Sequence, residues 1–333
     1  AFQPTIALVR LGSGRLYLWR IKHFMDKVVV ICGPTASGKT DLAIRVAQKA
    51  NGEIISADSM QVYQYMNIGT AKPTREEMQG IPHHLLDAVK PDEPFNVALF
   101  KEKAEEKIRG ILSGNKLPII AGGTGLYINS LVYNIRFSET VCDEAFRAEM
   151  NTLAAAQGPK VLHDRLREVD PESADRIHFN NVKRVIRALE VYHFTGKTIT
   201  QHQKESRLEP APYRYLVFYL DVDREELYAR INKRVDRMIQ DGLVDEVRAL
   251  LQMGYKPGCA AMQGLGYKEL IPYLEGEISL DEAIEILKRN TRHYAKRQIT
   301  WFKAMEGLIR LDGGAGNTES NTQKILEYLE AYK

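Results

Sequence analysis

The chain has 333 residues, 44% hydrophobic and 27% charged, with a formal net charge of +3. That is an ordinary globular composition, long enough for one large domain or two smaller ones, and it excludes a disordered or fibrous chain. The charge is too small to argue for nucleic acid from the total, and no apolar run reaches the ~18 residues a membrane helix needs, so any case for a polyanionic partner rests on local clusters.

In chain order, residues 1–24 come first. Arg10, Arg15, Arg20 and Lys22 are positive and no acid precedes Asp26. Such a leader resembles a transit peptide in charge but has only one serine, Ser13. We expect an extension outside the folded unit, with Met25 as a natural start. Val28–Cys32 reads as a buried strand. Gly33, Pro34, Thr35, Ala36, Ser37, Gly38, Lys39 and Thr40 then fit GxxxxGK[ST], and Asp41–Ala47 reads as a helix. Strand, glycine loop and helix are the context a P-loop requires. Its glycines let several amides face one anion, and the helix N-terminus adds partial positive charge. Lys39 supplies a full charge, and Thr40 can reach Mg2+.

Four further runs read as core strands: 53–57, 84–86, 117–121 and 216–220. Helical periodicity, as over Asn96–Leu112, alternates with them. The pattern predicts an α/β fold, a P-loop NTPase-like core with a mostly parallel sheet flanked by helices. Ligands of such sheets gather at the carboxyl ends of the strands. That makes Asp58-Ser59-Met60-Gln61, Gly122-Gly123-Thr124-Gly125 and Asp221 candidates. From about 138 to 203 the strand signal vanishes and helices are broken at Gly158, Asp170-Pro171, Asn180-Asn181 and Gly196. This predicts an all-helical insertion over 138–203 in a core of 25–137 and 204–313, with a helical tail over 314–333. The three cysteines, Cys32, Cys142 and Cys259, have no metal spacing, which fits a reducing cytoplasm.

Asp58, at the tip of its strand, suits an indirect Mg2+ contact, a general base, or a plain turn or cap aspartate. Ser59, Gln61 and Tyr63 suit a heteroaromatic acceptor. A helix over 224–251 would bring Arg230, Arg234 and Arg237 together, with Arg234 beside the apolar line of Leu227, Ile231 and Met238. Arg234 therefore needs an anionic or polar partner: Glu226, Asp241, or the anion of the P-loop. In the insertion, Val182, Ile186, Leu189 and His193 share one face and Lys183, Arg187 and Glu190 another, with Arg184 to the side. A solvated surface accounts for the latter by itself. The run from Lys288 to Arg297 has six cations counting His293, one aromatic and no acid, and favours a nucleic-acid backbone. These features leave open a kinase of a small metabolite and a nucleotide-gated RNA-binding protein.

Several stretches together resemble the tRNA dimethylallyltransferase, or tRNA isopentenyltransferase, family. They are GPTASGKT, Asp58–Tyr63, Asn67–Pro73, Pro82–Asp87, Gly122–Tyr127, Gly264–Glu269 and Ala295–Phe302. The likeness runs colinearly from about Lys27 to Leu311. The absence of Cys or His after His293 points to the bacterial type rather than to eukaryotic relatives with a zinc finger. The resemblance implies transfer of a dimethylallyl group from dimethylallyl diphosphate to N6 of the adenosine 3′ of the anticodon. It implies that the P-loop holds the diphosphate, with Mg2+ on Thr40. Asp58 would take the amine proton, and Arg234 with Thr40 would stabilise departing pyrophosphate. The tRNA anticodon stem-loop would meet Asp58, Ser59, Met60, Gln61, Thr124, Arg147, Lys183, Arg184, Val185, Ile186, Arg187, Gly264, Gly266, Tyr267 and Lys268. The enzyme is expected to be a cytoplasmic monomer. An enzyme acting on free adenine nucleotides is disfavoured by the long insertion.

Overall fold

A computed structural model describes residues 9–10, 16–17, 26–135, 137, 143–206 and 209–331. The expected extension and Cys142 lie outside these, apart from a short antiparallel pair, β1 (Val9–Arg10) with β2 (Leu16–Tyr17). The chain divides into two compact units, 1–128 with 212–333, and 129–211.

In the first unit the elements run β3 (Lys27–Cys32), α1 (Lys39–Ala50), β4 (Gly52–Ser56), β5 (His83–His84), α2 (Val97–Ser113), β6 (Leu117–Gly122) and α3 (Gly125–Val132), whose last residues enter the second unit. The second unit holds α4 (Glu144–Gln157), α5 (Lys160–Val169), α6 (Pro171–Arg176), α7 (Val182–Thr195) and α8 (Ile199–Ser206). The first then resumes with β7 (Arg214–Asp221), α9 (Arg224–Gln240), α10 (Leu243–Gln252), α11 (Ile271–Leu274), α12 (Leu280–Lys303), β8 (Ile309–Asp312) and α13 (Thr318–Ala331).

Six strands form a wholly parallel sheet in the order β5-β4-β6-β3-β7-β8. The P-loop strand β3 lies inside it, Val30 facing Ile120 of β6 and Val217 of β7. Residues Val28 to Cys32 are fully buried, because a parallel sheet covered on both faces leaves no solvent side to alternate with. Val29, Ile31, Ile54, Ile119, Phe218 and Leu220 share a core with Leu42, Ile44 and Val46 of α1 and Ile325 of α13.

Three expectations change in detail. Strand β8 adds a sixth strand to the five expected. Strand β5 stops at His84 because Leu85 takes a left-handed φ of 63°. The helix expected over 224–251 is two helices, broken where Gly242 takes φ 97°; few residues other than glycine accept that angle.

The helical unit has its own core, including Leu162, Leu166, Val185, Ile186 and Leu189. Its helix ends fall at Gly158, at Asp170, which caps α6 with its side chain, and at Gly196 in a left-handed conformation. The unit is wider than the insertion expected over 138–203, running from 129 to 211.

Candidate active site

The cavity that matters is a cleft of about 620 Å³ lined by the P-loop, Asp58, residues 67–74, Gly122-Gly123 and side chains of α9 and α12. It lies wholly within the first unit. Gly33 enters the loop at φ 156°, where a Cβ would sit 3.0 Å from the Leu220 carbonyl. Gly38 leaves it at φ 91°, handing the chain to α1. This turns the loop around the N-terminus of a 12-residue helix, where unpaired amides favour an anion.

Two cations converge there. Lys39 Nζ donates to Pro34 O at 2.6 Å, and Arg234 Nη1 lies 3.5 Å from Thr35 Oγ1. Neither makes a salt bridge to a described carboxylate; the candidate partners Glu226 and Asp241 pair instead with Arg230 and Arg237. Burial, then the Arg234 charge, pulls the Lys39 pKa down to about 8, although Asp58 pulls the other way. Burial likewise lowers Arg234. Two desolvated cations held together cost free energy unless an anion joins them.

Asp58 faces this pair across the cleft. Its Oδ1 accepts from Met60 N at 2.8 Å and Gln61 N at 3.3 Å, so it is a turn aspartate. Its Oδ2 accepts no hydrogen bond from any described residue. One carboxylate oxygen thus fixes the loop and the other stays open for chemistry. Ser59 N donates to Thr124 Oγ1 at 3.1 Å, tying the Asp58 turn to the β6–α3 loop. That approach needs glycine at 122, since a Cβ there would lie 2.2 Å from Ala57 O.

Several residues expected to touch RNA are spent inside the protein. Gln61 accepts from Ser56 Oγ at 3.0 Å and donates to the Thr70 and Ala71 carbonyls, both at 3.2 Å. Gly264 is buried against Met60, whose Cε a Cβ there would meet at 2.3 Å. Tyr267 is fully buried and donates to Glu246 Oε1 at 2.6 Å; Gly266 is buried beside it, and only Lys268 of these four is exposed. Glu246 also accepts the amides of Asn67, Ile68 and Gly69 at 2.9, 2.8 and 3.1 Å. Gly264, Gly266 and Tyr267 thus pack behind the cleft, with Glu246 between Tyr267 and the 67–69 segment.

The helical unit needs the same correction. Val185 and Ile186 are core residues, 0% and 3% exposed. Glu190, expected on a solvated face, is fully buried and accepts from Arg147 at 2.8 Å twice and from Arg187 at 2.6 Å. Burial pushes its carboxyl up, but hydrogen bonds from Arg147 and Arg187 outweigh this and hold it below the usual range. Lys183 and Arg184 remain exposed without a salt-bridge partner among the described residues. His193 is exposed and stacks on Phe146 with centroids 4.9 Å apart. In the basic run of α12, Lys288 pairs with Asp236 and Glu285, and Arg292 donates to Asn232. Arg289, His293, Lys296 and Arg297 are left exposed.

The Glu190 cluster carries a stability prediction. Its depressed pKa means its contribution is present above the ordinary carboxylate pKa and is lost as pH falls through the folded value. Glu190→Ala should cost about 2 kcal/mol, less than in a fully buried pair because both arginines reach water. It should also remove that part of the acid sensitivity. Urea and acid unfolding of parent and variant would measure both; an unchanged acid limb would dismiss the ion cluster as a contributor.

From the sequence, Tyr294 is only the aromatic of a basic run, Gln298 only part of a motif, and Glu246 is not singled out. Their signal is faint but present: Gln298 falls on the buried stripe of α12 with Leu287, Ala295 and Phe302, and Glu246 borders Leu243, Val247 and Leu250 on α10. A polar residue on an apolar stripe needs a partner.

The parallel sheet and the glycine loop at its carboxyl edge define a P-loop NTPase-like protein, with two cations converging on that loop. A family model described as IPP transferase matches residues 61–305, and one described as isopentenyl transferase matches residues 26–93. The chain belongs to the tRNA dimethylallyltransferase family of prenyltransferases. It is 57% identical over 304 residues to a tRNA dimethylallyltransferase of Acetivibrio thermocellus, across 91% of this chain and 97% of that one. A similar solved structure is the full-length tRNA isopentenylpyrophosphate transferase of Bacillus halodurans, at 42% identity and a TM-score of 0.70, covering 92% of this chain and 96% of the other. Another is a eukaryotic dimethylallyltransferase acting on tRNA, at 32% identity and a TM-score of 0.79, covering 92% of this chain and 80% of that one. Among the described residues no helix is long and apolar enough to cross a membrane.

Proposed function

We propose that this chain transfers the dimethylallyl group of dimethylallyl diphosphate to N6 of the adenosine 3′-adjacent to the anticodon of tRNA, releasing pyrophosphate. The observation that carries this reading is the pairing of Lys39 and Arg234, neither salt-bridged to a described carboxylate, with an Asp58 Oδ2 that no described donor reaches, on one cleft. The cations bind the diphosphate and stabilise it as the allylic C–O bond breaks. Asp58 accepts the proton that leaves N6 as the N–C bond forms. An exocyclic aryl amine is a weak nucleophile, so a placed carboxylate matters as attack proceeds. The target base must leave its stack to enter the cleft.

The residues fit a divalent cation in a limited way. The Thr40 side chain is exposed at the first turn of α1 and makes no hydrogen bond to a described residue. Among the described residues no group of three acids or imidazoles is placed to hold a metal. Thr40 would hold Mg2+ together with diphosphate oxygens, which suits an ion that keeps few protein ligands. When bound, it neutralises leaving-group charge.

Mixing the protein with dimethylallyl diphosphate, Mg2+ and unmodified tRNA, then weighing the RNA by mass spectrometry, tests the reading. An isoprenoid adduct on the adenosine next to the anticodon is expected. Phosphoryl transfer from ATP with no change in the RNA would replace it with a kinase.

For RNA grip, Lys183 and Arg184 are the cations to reverse, because Arg187 is tied to buried Glu190. Lys183→Glu with Arg184→Glu should weaken tRNA binding and lower the slope of log affinity against log salt by about 1.5, as two phosphate contacts go. Pyrophosphate binding should hold. Filter binding across salt concentrations measures this; an unchanged slope would reduce the pair to a solvated surface.

A further inference from the structure

Gln298 is 6% exposed, yet it is a polar side chain in the C-terminal third of α12. Its two ends are both engaged. Oε1 accepts from Thr35 N in the P-loop at 2.8 Å, and Nε2 donates to Gly123 O after β6 at 2.9 Å. A Cβ on Gly123 would sit 2.3 Å from that Nε2, so the glycine permits the approach. Tyr294, one helical turn earlier on α12, lines the same cleft. Thr124, the residue after Gly123, accepts from Ser59 N, next to Asp58.

One side-chain amide therefore joins the donor half of the cleft to the acceptor half. On one side stands Thr35, whose hydroxyl faces Arg234. On the other stands the loop whose Thr124 supports the Asp58 turn. The geometry points to Gln298 as a positioning residue that sets the spacing between the diphosphate cradle and the carboxylate that receives the amine proton. This rests on the prenyl-transfer reading of the same site.

The chemistry requires an amide. It must accept from an N–H and donate to a carbonyl from adjacent atoms, and it must add no charge beside the bound anion. Glutamate accepts but cannot donate when ionised, and it places a negative charge against the phosphates. Methionine matches the length, cannot donate and accepts only weakly. Releasing Thr35 N lets its peptide turn, which moves both the cradle and the hydroxyl facing Arg234. A shift of about 1 Å between reacting groups is enough to cost about a hundredfold in rate.

The test uses the full chain with Gln298→Met, Gln298→Glu and, reaching the same contact from the other side, Gly123→Ala. Inorganic pyrophosphate affinity is measured by calorimetry. Donor KM and the single-turnover rate per active site are measured with saturating tRNA, and tRNA affinity by filter binding. For Gln298→Met we expect about a tenfold weaker pyrophosphate and a single-turnover rate lower by about tenfold to a hundredfold at saturating donor, with tRNA affinity within about twofold. Gln298→Glu should weaken pyrophosphate further.

A packing role alone would lower the thermal midpoint and the active fraction while leaving the rate and KM per active site at parent values; that outcome overturns the proposal. Should Gln298→Met fail to fold, Gly123→Ala decides by the same pattern. If the parent protein transfers no isoprenoid, the prenyl-transfer reading fails, and the calorimetric arm still decides whether Gln298 shapes the anion cradle.

Discussion

Asp58→Asn is expected to bind both substrates with near-parent affinity and to transfer the isoprenoid about a hundredfold more slowly, or worse. The structure makes this a clean substitution. Asparagine keeps Oδ1 in place to accept from Met60 N and Gln61 N, so the turn at the strand tip survives. It replaces Oδ2, the oxygen with no described donor, by an NH2 group that takes no proton at neutral pH. Single-turnover rates with saturating donor and tRNA measure the effect. Transfer at the parent rate would make Asp58 a turn residue only and send the search for the base elsewhere.

Lys39→Ala should fold and should lose about a hundredfold or more in pyrophosphate affinity, since a charge-assisted contact in a half-buried cleft disappears. The pH dependence supplies a second signature. In the free protein the Lys39 pKa is down at about 8. A bound anion favours the charged form and raises that pKa. Pyrophosphate affinity should therefore fall as pH rises through about 8, by at most tenfold per unit. Calorimetry from pH 6.5 to 9.5 would read this. The Lys39→Ala protein should have lost that limb, whereas an equal decline in both proteins would assign it to another group.

The sheet was legible because its strands are buried on both faces and read as unbroken apolar runs. Strand β8 escaped notice for the complementary reason: Ile309–Asp312 is four residues long at the sheet's edge, with Arg310 exposed. The helix break at Gly242 was hidden by an apolar stripe that continues from α9 into α10. The P-loop was legible because its parts are contiguous. The contacts of Gln298 and Glu246 were not, because their partners lie 263 and 179 residues away. Periodicity shows that such a side chain needs a partner and not which one. Burial explains the corrected RNA contacts. Val185, Ile186 and Tyr267 stand within stretches that the resemblance assigns to tRNA, yet their side chains fill cores, so such a stretch marks residues that build a site as well as residues that touch a ligand.

The order of strands has a consequence for synthesis. Strand β3 is flanked by β6 and β7, and β7 begins at Arg214, after the whole helical unit. A growing chain emerges with β3, β4 and β6 able to pair while one edge of β3 stays open. That edge carries Val28 to Ile31, all fully buried in the finished protein, and an open apolar edge is where nascent chains pair wrongly. The helical unit, with a core of its own, can close on itself in that interval. The P-loop strand thus receives its second neighbour only after about two thirds of the sequence has been made, and the anion site is among the last parts of the molecule to become complete.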